Sequence, residues 1–406
     1  MKILLLTKKF PFPVKDGESL AINNLSRALH DLGCTLDLLA MNTPKHAYVG
    51  TDPHRDLPQF QHIQLVEVDT GIRVLDAAKN LFTSDSYNIS RFVSINYTRA
   101  LENLLKKNTY DIIQLETLFL APYISCIRKF SKAPVVMRAH NVEHEIWERI
   151  ADNTPASLKR WYIRHLTKRL RQYEVSQLSN YDLMAPITSR DKTRFEGFGY
   201  TGKSVVTPIG MDLTDYQADP SSFKRPLSLS FIGSLDWMPN LEGLKWFLEH
   251  VWQQAIRQVP EISLHVAGRN TPEWLHQLAT KHLQIPGEVP DAHAFINQHS
   301  VMIVPLLSGS GMRAKILEGM ALGKVVITTS IGLEGIEATH RREVLVANTP
   351  DEFVQAIRYC KNLSAGKLFE IGQKARDLVE EKYSNERIAG KLQAAYSTHS
   401  MGAVRL

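Results

Sequence analysis

The sequence predicts an α/β protein made of two Rossmann-like parallel-sheet domains that face a central cleft. Three observations carry this. A strand–helix–strand unit fills the first 42 residues: Lys2–Thr7 (KILLLT) and 34–42 (CTLDLLAMN) are apolar runs of strand length. Between them, Leu20–Gly33 repeats apolar residues at helical spacing and stops at a glycine. The same alternation restarts after Asp215–Pro226, a polar stretch with two prolines. Several of the strand-like segments, among them KILLLT, SVMIVPLL and KVVITT, carry runs of consecutive apolar residues, as strands buried on both faces do.

In chain order, 97–108 (YTRALENLLKKN) has helical spacing, and 110–116 (YDIIQLE) and 133–141 (APVVMRAHN) have the look of buried strands. Two more follow at 181–188 (YDLMAPIT) and 204–210 (SVVTPIG). Beyond the polar stretch come strands at 227–235, 263–268, 300–307, 324–329 and 343–348, with a helix at 241–258. The tail from Pro350 to about His399 carries two or three helices. The expected organisation is an N-terminal Rossmann-like domain over 1–214, a linker over 215–226 and a C-terminal Rossmann-like domain over 227–380. A C-terminal helix follows over 381–406, for which a crossing back to the first domain is left open. Open α/β sheets bind ligands beyond the carboxyl ends of their strands. Two such halves facing each other are expected to hold a ligand between them.

Composition narrows the function. Hydrophobic residues make up 44% of the 406, enough for substantial cores. Basic residues exceed acidic ones by 48 − 42 = 6, which suits an anionic partner without specifying one. Three cysteines, Cys34, Cys126 and Cys360, are too few and odd in number for a disulfide framework and fit a reducing compartment. The opening MKILLLTKKFPFP has a short apolar run followed by Lys8 and Lys9, so it is expected to be a first strand rather than a leader. No segment approaches the roughly 18 apolar residues of a membrane span. No basic-aromatic motif or known module points to nucleic acid.

Four loops are candidate sites. Gly17 precedes a helix expected near Ser19, where backbone amides can approach a phosphate or sugar. It belongs to neither a dinucleotide fingerprint nor a Walker loop. Arg138, His140, Asn141 and Glu143 crowd the turn after one strand; equally, Asn141 can cap the next helix and His140 can be a hydrogen-bonded core residue. In the second half, Gly233 and the pair Gly268–Arg269 each end a strand, and an arginine there suits a phosphate. The densest loop is 308–329 (SGSGMRAKILEGMALGKVVITT). Gly309 and Gly311 let the backbone approach a ligand and turn into a helix near Met312, followed by Arg313. Lys315 and Glu318, at i and i+3, share a helix face at its positive end. That pairing suits a nucleoside diphosphate, with the lysine on phosphates and the carboxylate on ribose hydroxyls. Lys324, past the helix end, is expected to matter less.

These segments resemble the retaining GT-B glycosyltransferases of family 4, including those that assemble bacterial surface polysaccharides. The likeness runs over nearly the whole chain and is strongest in RAHNVEHEIW, PIGMD, FIGSLDWMPNLEGLKWF, VAGRN and GSGMRAKILEGMALGKVVITTSIGLEG. The resemblance implies that Gly17 faces donor phosphates and acceptor and that His140 lies near the reacting sugar. It implies that Arg269 and Lys315 hold the diphosphate, and that Glu318 is the second glutamate of a Glu, seven residues, Glu signature. Where the first glutamate belongs, this chain has Ser310.

The implied function is transfer of a sugar, with retention, from a nucleotide diphosphate sugar (UDP- or GDP-linked) to a hydroxyl of a glycan or lipid-linked acceptor. No cofactor or metal is implied beyond that co-substrate, so positive side chains and a helix terminus must stabilise the leaving diphosphate. Two alternatives stand beside it: a non-hydrolysing UDP-sugar epimerase, and a non-catalytic subunit of a glycan assembly complex, which Ser310 favours. A cytoplasmic location is implied, with a peripheral contact on the inner face of the plasma membrane weighed as an option. That contact would run through 157–174, which holds six basic residues beside an apolar stripe of Leu158, Trp161, Ile163, Leu166 and Leu170. The competing expectation is that the stripe packs on the first domain.

Overall fold

The computed structural model describes residues 1–14, 16–71, 86–308 and 311–400. The chain divides into two compact units, Met1–Gly210 with Asn385–Leu406, and Met211–Ser384.

The first unit is a seven-stranded sheet in the order β3-β2-β1-β4-β5-β6-β7. Its strands are β1 (Lys2–Thr7), β2 (Thr35–Asn42), β3 (Phe60–Glu67), β4 (Ile112–Leu115), β5 (Val135–Ala139), β6 (Leu183–Pro186) and β7 (Lys203–Ser204). All neighbouring pairs are parallel. The order 3-2-1-4-5-6 is that of a doubly wound dinucleotide-binding sheet, and it reverses between β1 and β4. The apolar runs fill both faces of the sheet. Leu4, Leu6, Ile113 and Val135 pack on one side, and Ile3, Leu5, Ile112 and Val136 on the other.

The second unit repeats the plan with β8 (Ser228–Ile232), β9 (Ser263–Ala267), β10 (Leu283–Gly287), β11 (Val301–Val304), β12 (Val325–Thr328) and β13 (Leu345–Val346). The order is β10-β9-β8-β11-β12-β13, again parallel, with its reversal between β8 and β11.

Several expectations change. Asp215–Pro226 is not a linker: it lies inside the second unit, with Tyr216 and Phe223 buried and a short 3-10 turn over Pro220–Lys224. Burial of two aromatics outweighs the polar, proline-bearing look of that stretch. The unit boundaries fall instead at Gly210/Met211 and Ser384/Asn385, and the helix Asn385–Ser400 joins the first unit. Two edge strands, β3 and β10, have no counterpart in the sequence reading. Each mixes polar with apolar residues, and β10 contains Pro286, tolerated at an edge. Lys324 is fully buried, donating to the Asp219 carbonyl at 2.8 Å, Ser222 Oγ at 3.0 Å and the Asn297 carbonyl at 3.3 Å. It is a structural lysine, not an indifferent surface one.

Candidate functional site

In the second unit, Gly233, Arg269, Gly311, Arg313, Lys315 and Glu318 all lie near the carboxyl ends of β8, β9 and β11. Gly309 and Ser310 lie outside the described residues. The turn after β8 is tied to the turn after β9 by two backbone bonds, Gly233 N to Ala267 O at 3.2 Å and Leu235 N to Arg269 O at 2.9 Å. Arg269 itself is exposed there. The helix after β11 runs Ala314–Ala321 and follows Arg313 in extended backbone, two residues later than expected. Gly311 is left-handed at φ 78°, which turns the loop into that helix.

Lys315 sits on the second helical residue and reaches back over the switch point. Its Nζ donates to Asn240 Oδ1 at 2.5 Å and toward the Ile232 carbonyl at 3.4 Å, and lies 5.4 Å from the centre of the Phe231 ring. A Cβ at Gly233 would stand 2.8 Å from Lys315 Nζ and 2.8 Å from Asn240 Nδ2, so a side chain there would push both of these side-chain ends aside. Burial pulls the Lys315 ammonium down to about 8; Glu318 opposes the drop and Arg313 adds to it. The guanidinium of Arg313 lies 5.9 Å over the Trp237 ring. Burial raises the Glu318 carboxyl, against the pull of His293 and Lys315. Tyr216 packs on His293 with ring centres 4.5 Å apart, and its hydroxyl is pushed up by burial and by Glu318. Asn240, His293 and Tyr216 were not legible in the sequence as site residues, because no local spacing connects them to the loop they meet.

In the first unit the charged groups gather where the strand order reverses. Gly17 begins the helix Gly17–Asp31, which Asp16 caps through Ser19 N at 2.9 Å. A Cβ at Gly17 would meet only Ile209 Cδ1, at 3.9 Å, so packing does not demand glycine there. Lys8, after β1, pairs with Glu18 at 3.0 Å, and Lys9 with Asp16 at 2.6 Å. Among the described residues, one buried oxygen of Glu18, Oε1, has no hydrogen-bond partner. Burial would raise its carboxyl, yet Lys8, Lys9 and His140 hold it below the ordinary range.

His140 follows β5 and is 6% exposed; its Nε2 lies 2.9 Å from Glu116 Oε2. Arg138, fully buried, donates Nη1 to the same oxygen at 3.2 Å and to the Ala21 carbonyl at 3.1 Å. Asn141 does not cap the next helix, Glu143–Asn153. Its N-cap is Val142, and the free amides are taken by Glu174, whose carboxylate accepts from Glu143 N at 3.0 Å and His144 N at 3.2 Å. A carboxylate from a neighbouring helix replaces the local cap because it neutralises two amides at once. The Glu143 carboxyl is buried and pushed up to about 7 by desolvation, with Lys8 opposing and Glu174 and Glu18 adding. Glu116 is a functional residue that the sequence reading does not single out, although a carboxylate directly after a buried strand is a usable signal.

Among the described residues there is no group of three His, Cys, Asp or Glu able to hold a metal, and no helix long and apolar enough to cross a membrane.

Residues 226–362 match the sequence pattern of the family described as glycosyl transferases group 1. A 44.6 kDa uncharacterized protein in the cps region of Klebsiella pneumoniae is 25% identical over 306 residues, 71% of this chain and 74% of that one. Among solved structures, sucrose-phosphate synthase from Thermosynechococcus elongatus superposes with TM-score 0.69 at 16% identity, covering 98% of this chain and 99% of that one. HepE from Anabaena, solved in complex with UDP-glucose, gives TM-score 0.65 at 14% identity over 98% and 100% of the two chains. The chain therefore has the fold of the GT-B glycosyltransferases, and residues 226–362 of its second unit are similar to the glycosyl transferases group 1 pattern.

Proposed function

We propose that the protein transfers a sugar, with retention of anomeric configuration and without a metal, from a nucleoside diphosphate sugar to a hydroxyl of a glycan or lipid-linked acceptor in surface polysaccharide assembly. The observation that carries this is Lys315. Among the described residues its hydrogen-bond partners are the Asn240 side chain and the Ile232 carbonyl, neither of them a carboxylate, at the switch point of the second sheet. Such an under-compensated cation at a helix start is suited to a diphosphate. Arg269 and Arg313 would share the leaving diphosphate, and Glu318 would accept from ribose hydroxyls. His140 in the first unit would meet the sugar, with Gly17 leaving room for the backbone to approach phosphate or acceptor.

UDP is favoured over GDP as the nucleotide by HepE with UDP-glucose and by an E. coli trehalose-6-phosphate structure bound with UDP-2-fluoro glucose. The cps-region relative supports a role in surface polysaccharide. The comparisons give the epimerase no support. A cytoplasmic location with peripheral membrane contact through 157–174 belongs to the same reading. Its support is the start of the helix Leu158–Gln177, where Leu158 is 88% and Trp161 59% exposed beside exposed Lys159 and Arg164.

The test is a thermal-shift screen of UDP-, GDP-, ADP- and CMP-sugars, followed by an assay for nucleotide release. A ligand at 100 times its Kd adds about 2.7 kcal/mol. Stabilisation by a UDP-sugar and release of UDP support the reading; no shift with any nucleotide sugar refutes it.

A further inference from the structure

The Glu116 carboxylate lies at the centre of a buried hydrogen-bond chain. On one side the Tyr396 hydroxyl donates to Gln114 Oε1, and Gln114 Nε2 donates to Glu116 Oε1. On the other, Arg138 Nη1 and His140 Nε2 both reach Glu116 Oε2. Glu116 and Arg138 are fully buried. Burial would raise the Glu116 carboxyl, but Arg138 and His140 hold it below the ordinary carboxylate range. An ionised carboxylate only accepts, so the imidazole nitrogen facing it must carry a hydrogen. Arg138, on β5, also donates to the Ala21 carbonyl of the helix Gly17–Asp31, so the group that holds the carboxylate is itself tied to a strand and a helix.

We propose that Glu116 is a positioning residue for His140. It fixes the ring and holds its hydrogen on Nε2, leaving Nδ1 as the atom that meets a hydroxyl of the bound sugar. This rests on the reading of His140 as the sugar-facing residue of the first unit. The other ionisable groups around the ring are Arg138 and Glu18, with Lys8 and Glu143 next to them. The role differs from that of a packing residue because it acts on one proton.

Long-range proton–nitrogen NMR of the full-length protein labelled with 15N tests this directly, with His140→Gln assigning the signal. The neutral ring should carry its hydrogen on Nε2; a hydrogen on Nδ1 overturns the proposal without any variant at Glu116. In the full chain, Glu116→Gln should lower kcat for UDP release from UDP-glucose at least tenfold while KM for the donor stays within twofold. Glu116→Asp, which keeps the charge, should recover part of it. Wild-type kcat in Glu116→Gln, or a loss matched by equal loss in Glu116→Asp and explained by a lower Tm, overturns the proposal. A wild type that turns over no nucleotide sugar refutes the transfer reading alone, and the tautomer still decides the role of Glu116.

Discussion

Two buried ionisable groups carry predictions of opposite sign. Lys315 has its ammonium lowered to about 8, so the folded protein sheds that proton before the unfolded chain does. Stability should therefore climb as pH rises from about 8 toward the ordinary lysine value. Diphosphate binding runs the other way, since it needs the cation. The Kd for UDP should begin to weaken as pH rises from 7 through about 8 and weaken steadily above it, and Lys315→Met should weaken it about 10–100-fold at pH 7.5, the loss of a charge-assisted hydrogen bond of about 1.5–3 kcal/mol. Calorimetry that finds equal affinity in wild type and mutant removes Lys315 from the site. Glu143 is the mirror case. Its carboxyl, raised to about 7, keeps a proton in the folded state that the unfolded chain has lost, so stability falls as pH rises from 4.5 to about 7. Glu143→Gln should then stabilise the protein by about 1–3 kcal/mol at pH 8 and do nothing at pH 4, in urea unfolding, since each pKa unit is worth about 1.36 kcal/mol. A residue whose removal stabilises is one kept for another reason, and its position beside Lys8, Glu18 and His140 supplies that reason.

At the scale of elements, what the sequence revealed depended on how local the cause was. Continuously apolar strands and Gly-ended helices were legible because burial and backbone preference act within a few residues. The edge strands β3 and β10 were not, since polar residues facing water interrupt their apolar runs. The cap of the helix Glu143–Asn153 was not legible either, because its carboxylate comes from Glu174, 31 residues away. Glu174, the one acid in the basic stretch 157–174, is 3% exposed. The helix Leu158–Gln177 divides in the same way. Ile163, Leu166 and Leu170 are buried in the first unit, so that part of the stripe is core. Leu158 and Trp161, in the first turns, stay exposed, as does Ile150 at 42% on the preceding helix. Near-surface basic residues contribute roughly 1 kcal/mol each on an anionic bilayer. Cosedimentation with anionic phosphatidylglycerol vesicles should therefore occur at low salt, weaken at high salt and be absent with neutral vesicles. Reversing Arg164, Lys168 and Arg171 to Glu should abolish it, and Trp161→Ser should weaken it with the charges intact. Wild type left in the supernatant with anionic vesicles at low salt makes this an ordinary surface.

At the scale of the whole molecule, the first unit is built from both ends of the chain. Met211 and Ser384 are paired in a β-bridge, so the chain leaves the second unit beside the point where it entered. The helix Asn385–Ser400 then buries Ile388, Ala389, Leu392 and Tyr396 in the same cluster as Leu25, Ala28 and Leu29 of the helix Gly17–Asp31. Gln393 ties it to the Leu32 carbonyl at 3.2 Å. A helix more than 350 residues away in sequence thus covers one face of the first sheet, and its Tyr396 supports Gln114 beneath Glu116. Leu392→Ala should cost about 2–5 kcal/mol, the usual range for a fully buried leucine. The loss should be confined. In hydrogen exchange, amides of β1 and β4 should lose protection while those of β8 and β11 keep theirs, because the cavity opens in a core the second unit does not share. Tyr396→Phe separates packing from polarity. The ring remains, the Gln114 carbonyl loses its donor, and a destabilisation of about 1–3 kcal/mol should appear in the first unit alone. Equal deprotection of both sheets in Leu392→Ala would mean that the two units unfold as one, and the C-terminal helix would then be a clasp for the whole chain rather than a wall of the first unit.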